Sequence, residues 1–176
     1  MQKIAALLLT AALTLTLLAG CSTAEDRSYL NDLHKAYANY FVDDPEEESI
    51  ERTDAMDAKA QKVLGYLQSN LTVAEGTDLE DAATDLLENK RNETVALLGL
   101  DLEHYGYFIG VAEVPTLENG MYDKTQIADV AQELYHNYAD FWDGDDAENG
   151  TVGYAIGKLG GKTYVVSFEA WQFLES

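Results

Sequence analysis

Apolar positions along the chain fall into a short series of periodic segments. Ile4 to Leu18 is continuously apolar, rich in Leu, Ala and Thr, and preceded by Lys3. Between 28 and 41 the stripe Leu30, Leu33, Tyr37, Tyr40 and Phe41 predicts a first helix of the folded part. Asp43-Asp44-Pro45-Glu46-Glu47-Glu48 then breaks the pattern with a proline among carboxylates and reads as a solvated loop. Met56, Ala60, Val63, Leu64, Leu67 and Leu71 keep helical spacing and predict a second helix over 53–71. Thr77-x-x-Glu80 has the form of a capping box, in which hydroxyl and carboxylate satisfy free backbone N–H groups, and opens a third helix. Asn89-Lys90-Arg91-Asn92 interrupts that helix, and Gly99 is placed to stop it.

Residues 105–114, aromatic and β-branched and closed by Pro115, read as a strand. Apolar residues or glycine on both parities make it a central one. Asp123-x-x-Gln126 opens a further helix, on which Ile127, Val130, Ala131, Leu134, Tyr135, Tyr138, Phe141 and Trp142 share an arc of about 140° at ~100° per residue. After a loop over 143–150, Val152, Tyr154 and Ile156 begin an alternation that resumes from Lys162 to Phe173. Gly160-Gly161 between them supplies the positive φ of a tight turn, so the C-terminal element is a β-hairpin. The expected class is α+β: three helices, strand, helix and hairpin.

The leading apolar run, 15 residues or so, is shorter than the ~20 that span a bilayer and fits a removed signal segment. It ends in Leu18-Ala19-Gly20-Cys21, which resembles the lipobox of bacterial lipoproteins. That resemblance implies cleavage after residue 20, diacylglycerol and palmitate on Cys21, and a protein held on the extracytoplasmic face of the cell membrane, with a Gram-positive envelope expected. Cys21 is the sole cysteine, which excludes an intramolecular disulfide. The chain divides into signal peptide 1–20, lipidated end and tether 21–27, and one globular domain 28–176.

Losing Lys3 leaves 10 basic against 32 acidic residues, a formal charge of 10 − 32 = −22. Nucleic acid is not an expected partner, because its binding depends on Lys and Arg neutralising phosphates. The same charge repels anionic headgroups and holds the domain off the surface rather than flat on it.

The order of elements resembles the CAP domain, shared by cysteine-rich secretory proteins, antigen 5 and plant PR-1 proteins. Residues 53–61 look like its second helix, and 152–157 with Gly-Gly-Lys-Thr-Tyr-Val-Val at 160–166 look like its closing hairpin. The likeness implies an α-β-α sandwich over 28–173 with a cavity of two histidines and two acids. No His-x-x-x-His pair follows the second helix, Gly-Glu-Asn-Ile is absent, and Asp140 and Asp143 stand without histidine, so the implied metal cavity is degenerate.

Candidate chemistry is sparse. His104 beside the strand could act as a general base, and Glu113, the one carboxylate in that strand, would gain a raised pKa if buried. Asp143, Asp145 and Asn149 suggest an irregular calcium site; an EF-hand is excluded, since Ala147 and Ile156 occupy ligand positions. His136 is placed facing solvent and His34 beside the apolar stripe. Neither Gly-x-Ser-x-Gly nor a phosphate-binding glycine loop occurs. The resulting expectation is a non-catalytic binding module for a lipid, peptide or cell-wall component, with no cofactor expected and calcium the one candidate ion. The alternatives are an envelope hydrolase built on Glu113 or His104 and a calcium-dependent interaction domain.

Overall fold

The computed structural model describes residues 23–41, 50–73, 76–136, 138–141 and 147–174. Cys21, Trp142, Asp143 and Asp145 lie outside them. The class is α+β, with helices on both faces of a mixed five-stranded sheet.

The helices are α1 (Ala24–Ala38), α2 (Asp54–Asn70), α3 (Leu79–Asn89), α4 (Arg91–Leu98) and α5 (Ile127–His136). The strands are β1 (Glu51–Arg52), β2 (Tyr105–Glu113), β3 (Tyr138–Asp140), β4 (Ala147–Leu159) and β5 (Lys162–Phe173), in spatial order β1-β4-β5-β2-β3. Among the described residues only the β1–β4 pairing is parallel. Strand alternation sorts the core into two layers. Ile109, Val111, Ala155, Val166 and Phe168 pack under α2, α3 and α4, while Ala112, Val152, Tyr154 and Val165 pack under α1 and α5.

Several sequence expectations hold in detail. Gly99 closes α4 at φ 61°, and Gly160 and Gly161 take φ 55° and 90° in the hairpin turn. The break at Lys90 separates α3 from α4.

Other expectations are corrected. α1 starts at Ala24, because Thr23 and Asp26 form a reciprocal capping box, so residues 24–27 of the tether expected over 21–27 are helix. Asp78, not Thr77, caps α3, its Oδ1 accepting from Glu80 N at 2.9 Å. The helix expected to reach Trp142 ends at His136, since Tyr138–Asp140 pairs with Phe108–Gly110 along the free edge of β2. Arg91 fixes this edge, donating to the Asp140 carbonyl at 3.0 Å and lying 5.2 Å from the Phe141 ring centre. β5 therefore holds the centre of the sheet, and β2 stands one strand from the edge.

The loop expected to run to Gly150 instead becomes strand from Ala147, with an irregularity between Glu148 and Thr151. There Asn149 adopts φ 55°, and Gly150 lies against Trp171: a Cβ on it would sit 2.6 Å from the indole ring.

Candidate functional site

Where β1 passes into α2, the chain builds a charged cleft against α1. Glu51 and Arg52 pair with Thr151 and Val152 of β4, and Thr53 N continues the pairing to the Val152 carbonyl at 3.0 Å. The Thr53 hydroxyl then accepts from Met56 N at 3.2 Å and starts α2, which carries Asp57 on its first turn. Gly153 lets the helix backbone rest on the sheet, since a Cβ there would fall 2.0 Å from Asp57 N. With that approach, Asp57 Oδ1 accepts from Tyr154 N at 2.8 Å.

Asp57 and Arg52 form a two-point pair, Nε to Oδ1 at 3.1 Å and Nη2 to Oδ2 at 2.9 Å. Arg52 Nη1 donates to Asn31 Oδ1 of α1 at 2.9 Å, and the guanidinium lies 5.5 Å from the Tyr154 ring centre. Three of the five N–H groups of a guanidinium are thus engaged, and 5 − 3 = 2 make no hydrogen bond among the described residues. The cleft has a volume of about 890 Å³, and its lining includes Arg27, Asn31, His34, Glu51, Arg52, Asp54 and Asp57. Arg27 and Arg52 are two of the chain's three arginines, so this cleft gathers scarce positive charge beside carboxylates.

Behind it lies a polar cluster in the α1 layer. His34 Nδ1 is 3.4 Å from the Tyr154 hydroxyl, and the His34 pKa is lowered by burial and by Arg52. Tyr37 donates its hydroxyl hydrogen to Glu169 Oε1, and Trp171 Nε1 donates to Oε2 at 3.3 Å. Burial pushes the Glu169 carboxyl up to about 7, against the opposing effect of these two hydrogen bonds. The same burial, with Glu169 nearby, holds the Tyr37 and Tyr154 hydroxyls well above the usual tyrosine value.

The residues singled out from sequence lie elsewhere. His104, largely exposed, has Nδ1 2.9 Å from Asp101 Oδ2 at the start of β2. Glu113 closes the other end of β2, where its carboxylate meets Lys162 Nζ at 2.6 Å and its N–H donates to Glu80 Oε1 at 3.1 Å. All of β2, roughly 26 Å from Tyr105 to Glu113 at ~3.3 Å per residue, lies between them. His136 is exposed beside Tyr135, and Asn149 is exposed on β4. Among the described residues, no three or more His, Cys, Asp or Glu side chains are grouped to hold a metal ion. Ser167 is buried and its Oγ accepts from Gly110 N at 3.2 Å, a sheet-stabilising role.

The buried strand carboxylate is Glu169 rather than Glu113. Its sequence signal was available: it stands within Val165-Val166-Ser167-Phe168-Glu169-Ala170-Trp171, whose residues other than Ser167 and Glu169 are apolar. No family model, curated protein or solved structure matches the chain.

Proposed function

We propose that the protein is a lipid-anchored, extracytoplasmic binding module whose cleft takes a short peptide carrying both a carboxylate and an amine, the chemistry of a cell-wall stem peptide. The observation that carries this reading is Arg52, fixed by Asp57 and Asn31 with two N–H groups that no described residue accepts. Its neighbours Arg27, Glu51 and Asp54 offer both signs of charge to one ligand. A preset guanidinium recognises a carboxylate without first ordering a flexible side chain. Helices on both sheet faces are compatible with the CAP-like scaffold expected from 53–61 and 152–166, and that kinship is part of the proposal.

Titrating a zwitterionic tripeptide into the full chain in detergent should shift the resonances of Asn31, His34 and Arg52 saturably. Arg27→Ala, at an exposed position, should weaken binding about tenfold, the effect of losing a charged hydrogen bond of ~1.5 kcal/mol. Non-saturating shifts, or none at these residues, would remove the cleft from consideration.

The anchor is tested separately. In a host that processes lipoproteins, the chain should incorporate an alkynyl palmitate, and Cys21→Ser should abolish labelling and leave the 20-residue leader attached. Among the described residues no helix is long and apolar enough to cross a membrane.

A further inference from the structure

The turn after β2 is closed on itself and held to the lipid-bearing end of the chain. Thr116 bridges Tyr122, Leu117 N and Gly120 N bond to the Met121 and Leu117 carbonyls at 2.8 Å each, and Gly120 takes φ 83°. This compact tip exposes two large apolar side chains, Leu117 at 47% and Met121 at 52%.

Tyr122 binds the tip to the first turn of α1. Its N–H donates to Glu25 Oε1 at 3.1 Å, its hydroxyl to Asp26 Oδ1 at 2.5 Å, and its ring meets Tyr29 edge-on at 5.0 Å. Lys124 adds bonds to Ser28 at 2.9 Å and Asp32 at 2.7 Å. Tip and helix start are therefore one body. Thr23, capping that helix, is two residues from Cys21, and two Cα–Cα steps cover at most about 7.6 Å.

We propose that Leu117 and Met121 form a membrane-docking tip that enters the headgroup region of the bilayer carrying the Cys21 lipid, and so sets the domain upright. The inference rests on the lipid anchor of the preceding section. The occupant is a bilayer because the anchor confines this end of the molecule to one, at high effective concentration. Apolar contact supplies the interaction: with a mature charge of −22 and Glu118 in the tip, attraction to anionic lipid does not. The first turn of α1, bound to the tip through Tyr122, then lies closest to the surface.

Lipidation converts the Cys21 thiol to a thioether, so a cysteine introduced elsewhere is the only one to react with a polarity-sensitive dye. Full-length Leu117→Cys, Met121→Cys and Leu174→Cys chains are labelled and reconstituted in phosphatidylcholine vesicles. Leu174 is the control, 49% exposed beyond the opposite end of β5. Emission at 117 and 121 should move to the blue and be quenched severalfold more than at 174 by spin-labelled lipid, without change on adding salt. Spectra at 117 and 121 matching 174, on protein that floats with the vesicles, would overturn docking and leave the anchor standing. Failure to float would remove the anchor and the docking with it. A blue shift seen only at high copy density, and not in discs holding one molecule, would assign the tip to a second copy and overturn the proposal.

Discussion

At pH 8 the Glu169→Gln variant should be more stable than the parent chain by about 3 kcal/mol, and at pH 4 the two should unfold alike. Glu169 is held in the α1 layer by Tyr37 and Trp171, with Tyr154 beside it, and burial raises its carboxyl pKa from 4.5 to about 7. The folded chain thus binds the proton more tightly than the unfolded one. Raised folded-state affinity makes the contribution to stability greatest below pH 4.5. It is lost as pH rises toward 7, because the unfolded carboxylate ionises first. A difference of 2.5 pKa units at 1.36 kcal/mol each corresponds to about 3 kcal/mol. Glutamine resembles the neutral carboxyl in shape and cannot ionise, so subtracting the variant's urea-unfolding curve from the parent's isolates this group from every other titration. Parallel pH profiles for the two proteins would show that Glu169 is hydrated or relaxed in the folded chain.

What was legible in the sequence follows from how far each signal reaches along it. The C-terminal hairpin rests on local alternation and two glycines whose positive φ the turn needs, and the helices over 54–70 and 127–136 rest on repeated spacing. β1 has two residues and no period to display; it exists because Val152 and its neighbours offer a parallel edge. β3 was hidden by coincidence: Tyr138 and Phe141 extend the helical arc of α5, yet Ala139 and Phe141, two residues apart in extended chain, share one face and both are buried against the α3–α4 layer. The cleft was beyond reach for a different reason. Arg52 to Asp57 is a local contact, but its meaning depends on Asn31 in α1 and on Tyr154, 97 positions after Asp57. Glu113 and Glu169 were both carboxylates in apolar strands; position relative to the strand end separates the solvated one from the buried one.

Gly153→Ala should lower the melting temperature by about 10 °C. A Cβ at this position would stand 2.0 Å from both Asp57 N and Met56 C, and neither is a side chain that can swing aside. Overpacking costs ~1–3 kcal/mol where neighbours can yield, so backbone obstruction belongs at or beyond the top of that range. At roughly 2–4 °C per kcal/mol for a chain of this size, the loss reaches about 10 °C. Gly65→Ala is the internal control: it lies within α2, nothing stands within 4 Å of the added Cβ, and replacing a helical glycine should stabilise by up to about 1 kcal/mol. The strain at 153 must push the start of α2 off β4, lengthening the bond from Tyr154 N to Asp57 and loosening the two-point hold on Arg52. Faster hydrogen exchange at the Tyr154 amide should accompany the thermal loss. A variant that melts within 2 °C of the parent, at ~2 °C or more per kcal/mol, would mean that α2 can shift freely and that glycine does not set the Arg52 geometry.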